Sequence, residues 1–150
     1  MGDISKGVEA GFVATLVVSL LVLFQRAIGF APGFDLVGLY KEAANTPDYA
    51  SVAWIVHFAV GTILWGSAFA AVSPHLPGPH LVRGLIFGFG TFIAMMLIFL
   101  PAAGFAPFAM GHGIAIPLGG LVLNLVYGAV LGESYHLLLH YLPSEVDENA

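Results

Sequence analysis

Glu133, His136 and His140 stand at positions i, i+3 and i+7 of one apolar stretch, so a helix there carries all three on one face. Glu-x-x-His on a bundle helix is half of a carboxylate di-metal motif. The sequence holds no second Glu-x-x-His, and Glu9 is the other acid near a span on that side. A single metal is easier to accommodate. His75 and His80 fall on the same side as His136 and His140, and these imidazoles with Glu133 suit zinc or copper. The competing reading leaves them as interfacial histidines, with Glu133 neutral or paired with Arg83 or Lys6.

Trp54, His57 and His112 gather toward the opposite side. His57 lies about two turns into an apolar segment, and His112 sits in the Gly111-His112-Gly113 loop. As a pair they are candidate axial haem ligands. The alternative is structural: a hydrogen bond between His57 and Asn124 that ties two helices together. Phosphate-binding glycine loops, nucleophile elbows and His-Glu-x-x-His are absent from the sequence. The chain therefore reads as a non-enzyme. With no cysteine it has no disulfide, thiolate metal site or c-type haem attachment. The expected cofactor is none, with haem or a transition metal as the alternatives.

The elements that carry these residues follow from composition. Of 150 residues, 59% are apolar and 9% charged, and the mean hydropathy is +0.94. A soluble domain carries about 25% charged residues, so this chain could not cover its own surface with polar groups. Four Lys and Arg against nine Asp and Glu argue against nucleic acid as a partner. The class is all-α integral membrane. The first apolar segment has no basic leader and no clear small-residue cleavage site, and reads as a retained helix.

A span needs about 20 mostly apolar residues. Charge-free gaps run from Glu9 to Arg26, Asp48 to Arg83 and Arg83 to Glu133, and prolines and glycines divide the long ones. The spans predicted are about 8–28, 51–72, 82–100 and 116–141, all in one domain. The 35–42 stretch is a candidate interfacial helix, and 144–150 is an acidic tail. Both termini fall on one side. Lys6 and Arg83 against Arg26 and Lys41 tie the positive-inside count. A cytoplasmic placement of the termini in a prokaryotic inner membrane is the orientation we favour.

The halves resemble each other. Lys6-Gly7-x3-Gly11-Phe12 returns as Arg83-Gly84-x3-Gly88-Phe89, and Gly29-Phe30-Ala31-Pro32 as Gly104-Phe105-Ala106-Pro107. His57-x3-Gly61-x2-Leu64-x2-Ser67 matches Asn124-x3-Gly128-x2-Leu131-x2-Ser134. The expected architecture is a four-helix bundle of two repeated hairpins with a pseudo-two-fold axis along the membrane normal. Gly7/Gly11, Gly84/Gly88 and Gly128/Gly132 are GxxxG pairs. With Gly61 and Asn124 they are the expected helix-packing residues, because helices in lipid associate through close backbone approach.

Several of these segments carry a family resemblance. The opening Lys6-Gly7-x3-Gly11-x2-Ala14-Thr15, the His57-Phe58-x2-Gly61-Thr62-x2-Trp65-Gly66-x2-Phe69-Ala70 segment, Met95-Met96 and Leu123-x3-Tyr127-Gly128-Ala129-Val130-Leu131-Gly132 resemble an uncharacterised family of small four-helix prokaryotic membrane proteins, over about 6–136. The resemblance implies a fold more than an activity. It also implies that relatives often carry His where this chain has Asn124.

Three functions compete. The first is an accessory subunit of a larger membrane complex, respiratory or otherwise energy-transducing, with membrane lipids and other membrane subunits as partners. The second is a haem or metal membrane protein built on His57/His112 or on Glu133/His136/His140. The third is a small transporter or channel.

Overall fold

The computed structural model describes residues 2–29, Gly38, Lys41 and 50–141. The 144–150 tail and, apart from Gly38 and Lys41, the 35–42 stretch lie outside the described residues. Four helices are long and apolar enough to cross a membrane: α1 Ile4–Ala27, α2 Ser51–His75, α3 His80–Ala102 and α4 Ala115–Tyr141. α1 starts at Ile4 rather than near position 8 because Asp3 caps it, its carboxylate accepting from the Lys6 N–H at 3.1 Å. That earlier start carries Lys6 into the bundle, where it is 8% exposed.

Small residues face inward on α1 and large ones outward. Gly7, Gly11, Ala14, Thr15, Val18 and Ser19 are buried, while Phe12, Leu16, Leu20 and Phe24 are exposed. This is the distribution expected where helices close on one another through their backbones. A Cβ at Gly7 would lie 2.6 Å from the Gly66 carbonyl oxygen, and one at Gly11 would lie 2.8 Å from that of Thr62. α3 and α4 meet the same way. A Cβ at Gly84 or Gly128 would run into the other's carbonyl oxygen, one at Gly88 into that of Asn124, and one at Gly132 into that of His80.

α4 packs against α3 on one flank and α1 on the other. The Tyr135 hydroxyl accepts from the Asp3 N–H at 2.9 Å, which pins the start of α1 to the last turns of α4. Rings join α2 to α3: Phe69 and Trp65 lie 5.3 and 6.1 Å from Phe87, and Trp65 lies 5.8 Å from Phe99. Phe69, Met96 and Leu131 are fully buried at the centre.

Both α2 and α3 loosen into π-helix, over Ala59–Trp65 and Met95–Phe99. π-turns widen a helix locally and recur at functional sites. α3 ends at Gly104, whose φ of +94° lets the Phe105 N–H reach back to the Leu100 carbonyl at 3.0 Å.

Candidate functional site

Between the two π-turns the bundle holds a cavity of about 270 Å³. All four helices line it. α1 contributes Thr15 and Val18, α2 His57, Gly61 and Trp65, α3 Thr91, Met95 and Phe99, and α4 Gly120, Asn124 and Tyr127. Most of the wall is apolar, and the polar groups are few and come one or two from each helix. Val56 and Phe99 also line it, and they are 48% and 44% exposed, so the cavity reaches the molecular surface beside the α2–α3 seam. Strongly exposed Ile55, Ile63 and Ile98 on the same two helices make that outer surface apolar.

Each polar group is set by its neighbours. The Ser19 hydroxyl donates to the Thr15 carbonyl at 2.7 Å, and the Ser19 oxygen lies 3.1 Å from His57 Nε2. A hydroxyl has one hydrogen. With it spent on Thr15, the His57 contact is satisfied by Nε2–H as donor. The Trp54 ring packs edge-on against the same imidazole at 5.7 Å.

Asn124 is oriented by α4 itself. Its amide nitrogen donates to the Gly120 carbonyl at 2.8 Å, and its oxygen accepts from the Thr91 hydroxyl at 3.0 Å. That hydroxyl also lies 2.9 Å from the Gly88 carbonyl, so one hydrogen is shared between two acceptors. The Tyr127 hydroxyl donates to the Gly61 carbonyl at 2.6 Å, and it lies beside Thr15. Thr15 donates to Gly11 at 2.7 Å.

His57 and Asn124 do not bond each other. His57 ties α2 to α1 through Ser19, and Asn124 ties α4 to α3 through Thr91. Each bond therefore closes its own hairpin, and Tyr127 bonds from one hairpin to the other in the cavity wall, as Tyr135 does near the helix ends. His112 does not line the cavity with His57: it is exposed on the 3₁₀ turn Pro107–His112, its ring 5.3 Å from Phe105. The haem pair His57/His112 is not assembled.

The other candidate cluster gathers three of its imidazoles. The His136 ring lies 4.7 Å from His80 and 4.2 Å from His140. His140 Nδ1 donates to the His136 carbonyl at 2.9 Å, and His136 Nδ1 is buried with no partner among the described residues. Glu133 is exposed, because its neighbour Gly132 takes the inward position against His80 and the next residue is turned about 100° away. Among the described residues no three of His, Asp and Glu are placed to hold a metal ion, which corrects the Glu133/His136/His140 expectation.

Ser19, Thr91 and Tyr127 are the site residues that sequence reasoning missed. A signal for Ser19 existed: Gly11, Thr15 and Ser19 repeat every four residues, a small polar stripe on one face of α1. A family model described as "Family of unknown function (DUF6789)" matches residues 1–145, and the chain belongs to that family. Neither the curated proteins nor the solved structures offer a match.

Proposed function

Since membership of this family brings no activity with it, we propose a function from the cavity: the chain is an integral membrane protein that binds a small molecule dissolved in the bilayer. The carrying observation is the position of the opening. The cavity meets the surface at exposed Val56 and Phe99, about one turn inside the start of α2 and the end of α3, where exposed Ile55, Ile63 and Ile98 make the surrounding surface apolar. A ligand arriving there comes from lipid rather than from water. A mostly apolar wall with a few placed polar groups is the usual make-up of a small-molecule site.

On this reading the two hairpins are related by a pseudo-two-fold axis. The glycine crossings in both, and the polar bond closing each, support it. The π-turns depart from it, since they fall on α2 and α3, which are not equivalent in the repeat. We place the protein in a prokaryotic inner membrane with both termini cytoplasmic.

The test is native mass spectrometry of the affinity-tagged protein, extracted from its own membranes in mild detergent. The expected result is the chain with a small bound mass that is lost in Val56→Phe, whose larger side chain obstructs the opening. A bare chain from several mild detergents would refute the reading. Co-purifying polypeptides in place of a small mass would support the accessory-subunit function instead.

A further inference from the structure

The unspent hydrogen-bonding capacity of the cavity says what its occupant carries. The hydroxyl hydrogens of Thr15, Thr91 and Tyr127 are all given to protein acceptors, and His57 gives its Nε2–H to Ser19. Asn124 differs. An amide has two N–H hydrogens. One goes to the Gly120 carbonyl, and the other has no acceptor among the described residues. A donor left unmatched in an apolar cavity is unfavourable, so the site is complete only with an acceptor supplied from outside the chain.

Water is a poor candidate for that acceptor. The cavity is far wider than one water, and a water held on Asn124 needs two to four polar partners with capacity to spare. The walls offer fewer. A lipid acyl chain fills apolar space but brings no acceptor to Asn124. The rings of Trp65 and Phe99, 5.8 Å apart and near-perpendicular, present flat apolar surface on the same cavity.

Resting on the binding reading above, we propose that the occupant is a carbonyl-bearing ring compound with an apolar tail, of the quinone type. Its carbonyl oxygen accepts the second Asn124 N–H. Its ring lies against Trp65 and Phe99. Its tail leaves between Val56 and Phe99 into the bilayer. The protein holds the compound and makes or breaks no bond in it.

The experiment uses the full chain in phosphatidylcholine vesicles, as the Trp54→Phe variant, so that Trp65 is the sole indole. The probes are a benzoquinone with one isoprenyl tail and an alkylbenzene of matching length that lacks the carbonyls. The quinone is expected to quench Trp65 fluorescence saturably, and the alkylbenzene to reverse that quenching with an affinity about five- to tenfold weaker than the quinone's own, the value of one hydrogen bond. Asn124→Leu should erase that preference while leaving both probes bound. Val56→Phe, on the exposed rim and outside the polar set, should weaken both alike. Equal competition by the two probes in the parent protein would overturn the carbonyl assignment and leave a purely apolar binding site. Absence of saturable quenching, with no displacement by either probe, would overturn the binding reading as well.

Discussion

The Tyr127 hydroxyl donates to the Gly61 carbonyl at 2.6 Å, a hydrogen bond from the second hairpin to the first that forms part of the cavity wall. Gly61 lies within the π-turn of α2. Tyr127→Phe keeps the ring and deletes this bond. It should lower stability by about 1–2 kcal/mol, read from reversible unfolding in mixed micelles. No measurable loss would mean that this bond adds nothing to what packing and the Asp3–Tyr135 bond already supply.

The two bonds that close the hairpins should be separable by double-mutant cycles. Ser19→Ala with His57→Phe, and Thr91→Ala with Asn124→Leu, should each show a coupling of about 0.6 kcal/mol and at most ~1.7, the range known for side-chain bonds between membrane helices. A significant coupling between His57 and Asn124 would contradict the pairing seen here.

Glycine substitutions should divide by backbone distance. Gly84→Ala and Gly128→Ala each put a methyl group into a facing carbonyl, and should cost about 1–3 kcal/mol. A Cβ at Gly90 meets nothing within 4 Å, so Gly90→Ala should gain about 0.5–1 kcal/mol from helix propensity. Equal responses at Gly84 and Gly90 in thermal unfolding would refute the close crossing of α3 and α4.

His136 hides an imidazole nitrogen that has no hydrogen-bond partner among the described residues. Replacing it by an apolar residue of similar size removes that penalty. His136→Leu should stabilise by about 1 kcal/mol, a rise in Tm of about 2–4 °C. A large fall would show that the nitrogen has a ligand to lose.

The chain contains no cysteine, so single introduced cysteines report topology cleanly. Ser5, His75 and Met110 are exposed; the first two lie at ends of α1 and α2, and Met110 in the connection between α3 and α4. An impermeant maleimide should label Ser5→Cys and His75→Cys from one side of the membrane, and Met110→Cys from the other. Labelling of all three from one side would exclude four crossings.

The long helices were legible because charge and proline mark helix ends directly. Which side chains meet was not. The equivalence of His57 and Asn124 is visible as a repeated offset, but an offset says nothing about rotation of one helix against another. Rotation here is set by which glycines touch, and it turns His57 toward Ser19 and Asn124 toward Thr91. Glu133 misled for the same reason: depth along a helix was readable, while facing was decided by Gly132 next door. The burial of Lys6 was not legible either: it follows from Asp3 starting α1 about a turn earlier than the expected position 8. The cavity was illegible because it is a gap between π-turns, and no residue type announces a π-turn.

The contact of α1 with α4 has a consequence for the order of events during synthesis. The ends of the bundle are neighbours in space but the last to meet in time. Roughly 90 residues separate the end of α1 from the start of α4. At ~5–20 residues per second, α1 waits about 5–20 s for that partner. Through this interval Ala10 and Ala14, fully covered in the finished molecule, have α2 but not yet α4 beside their helix. The first hairpin meets that delay with its own glycine crossing, the bond between Ser19 and His57 and the Phe12–Phe58 ring contact.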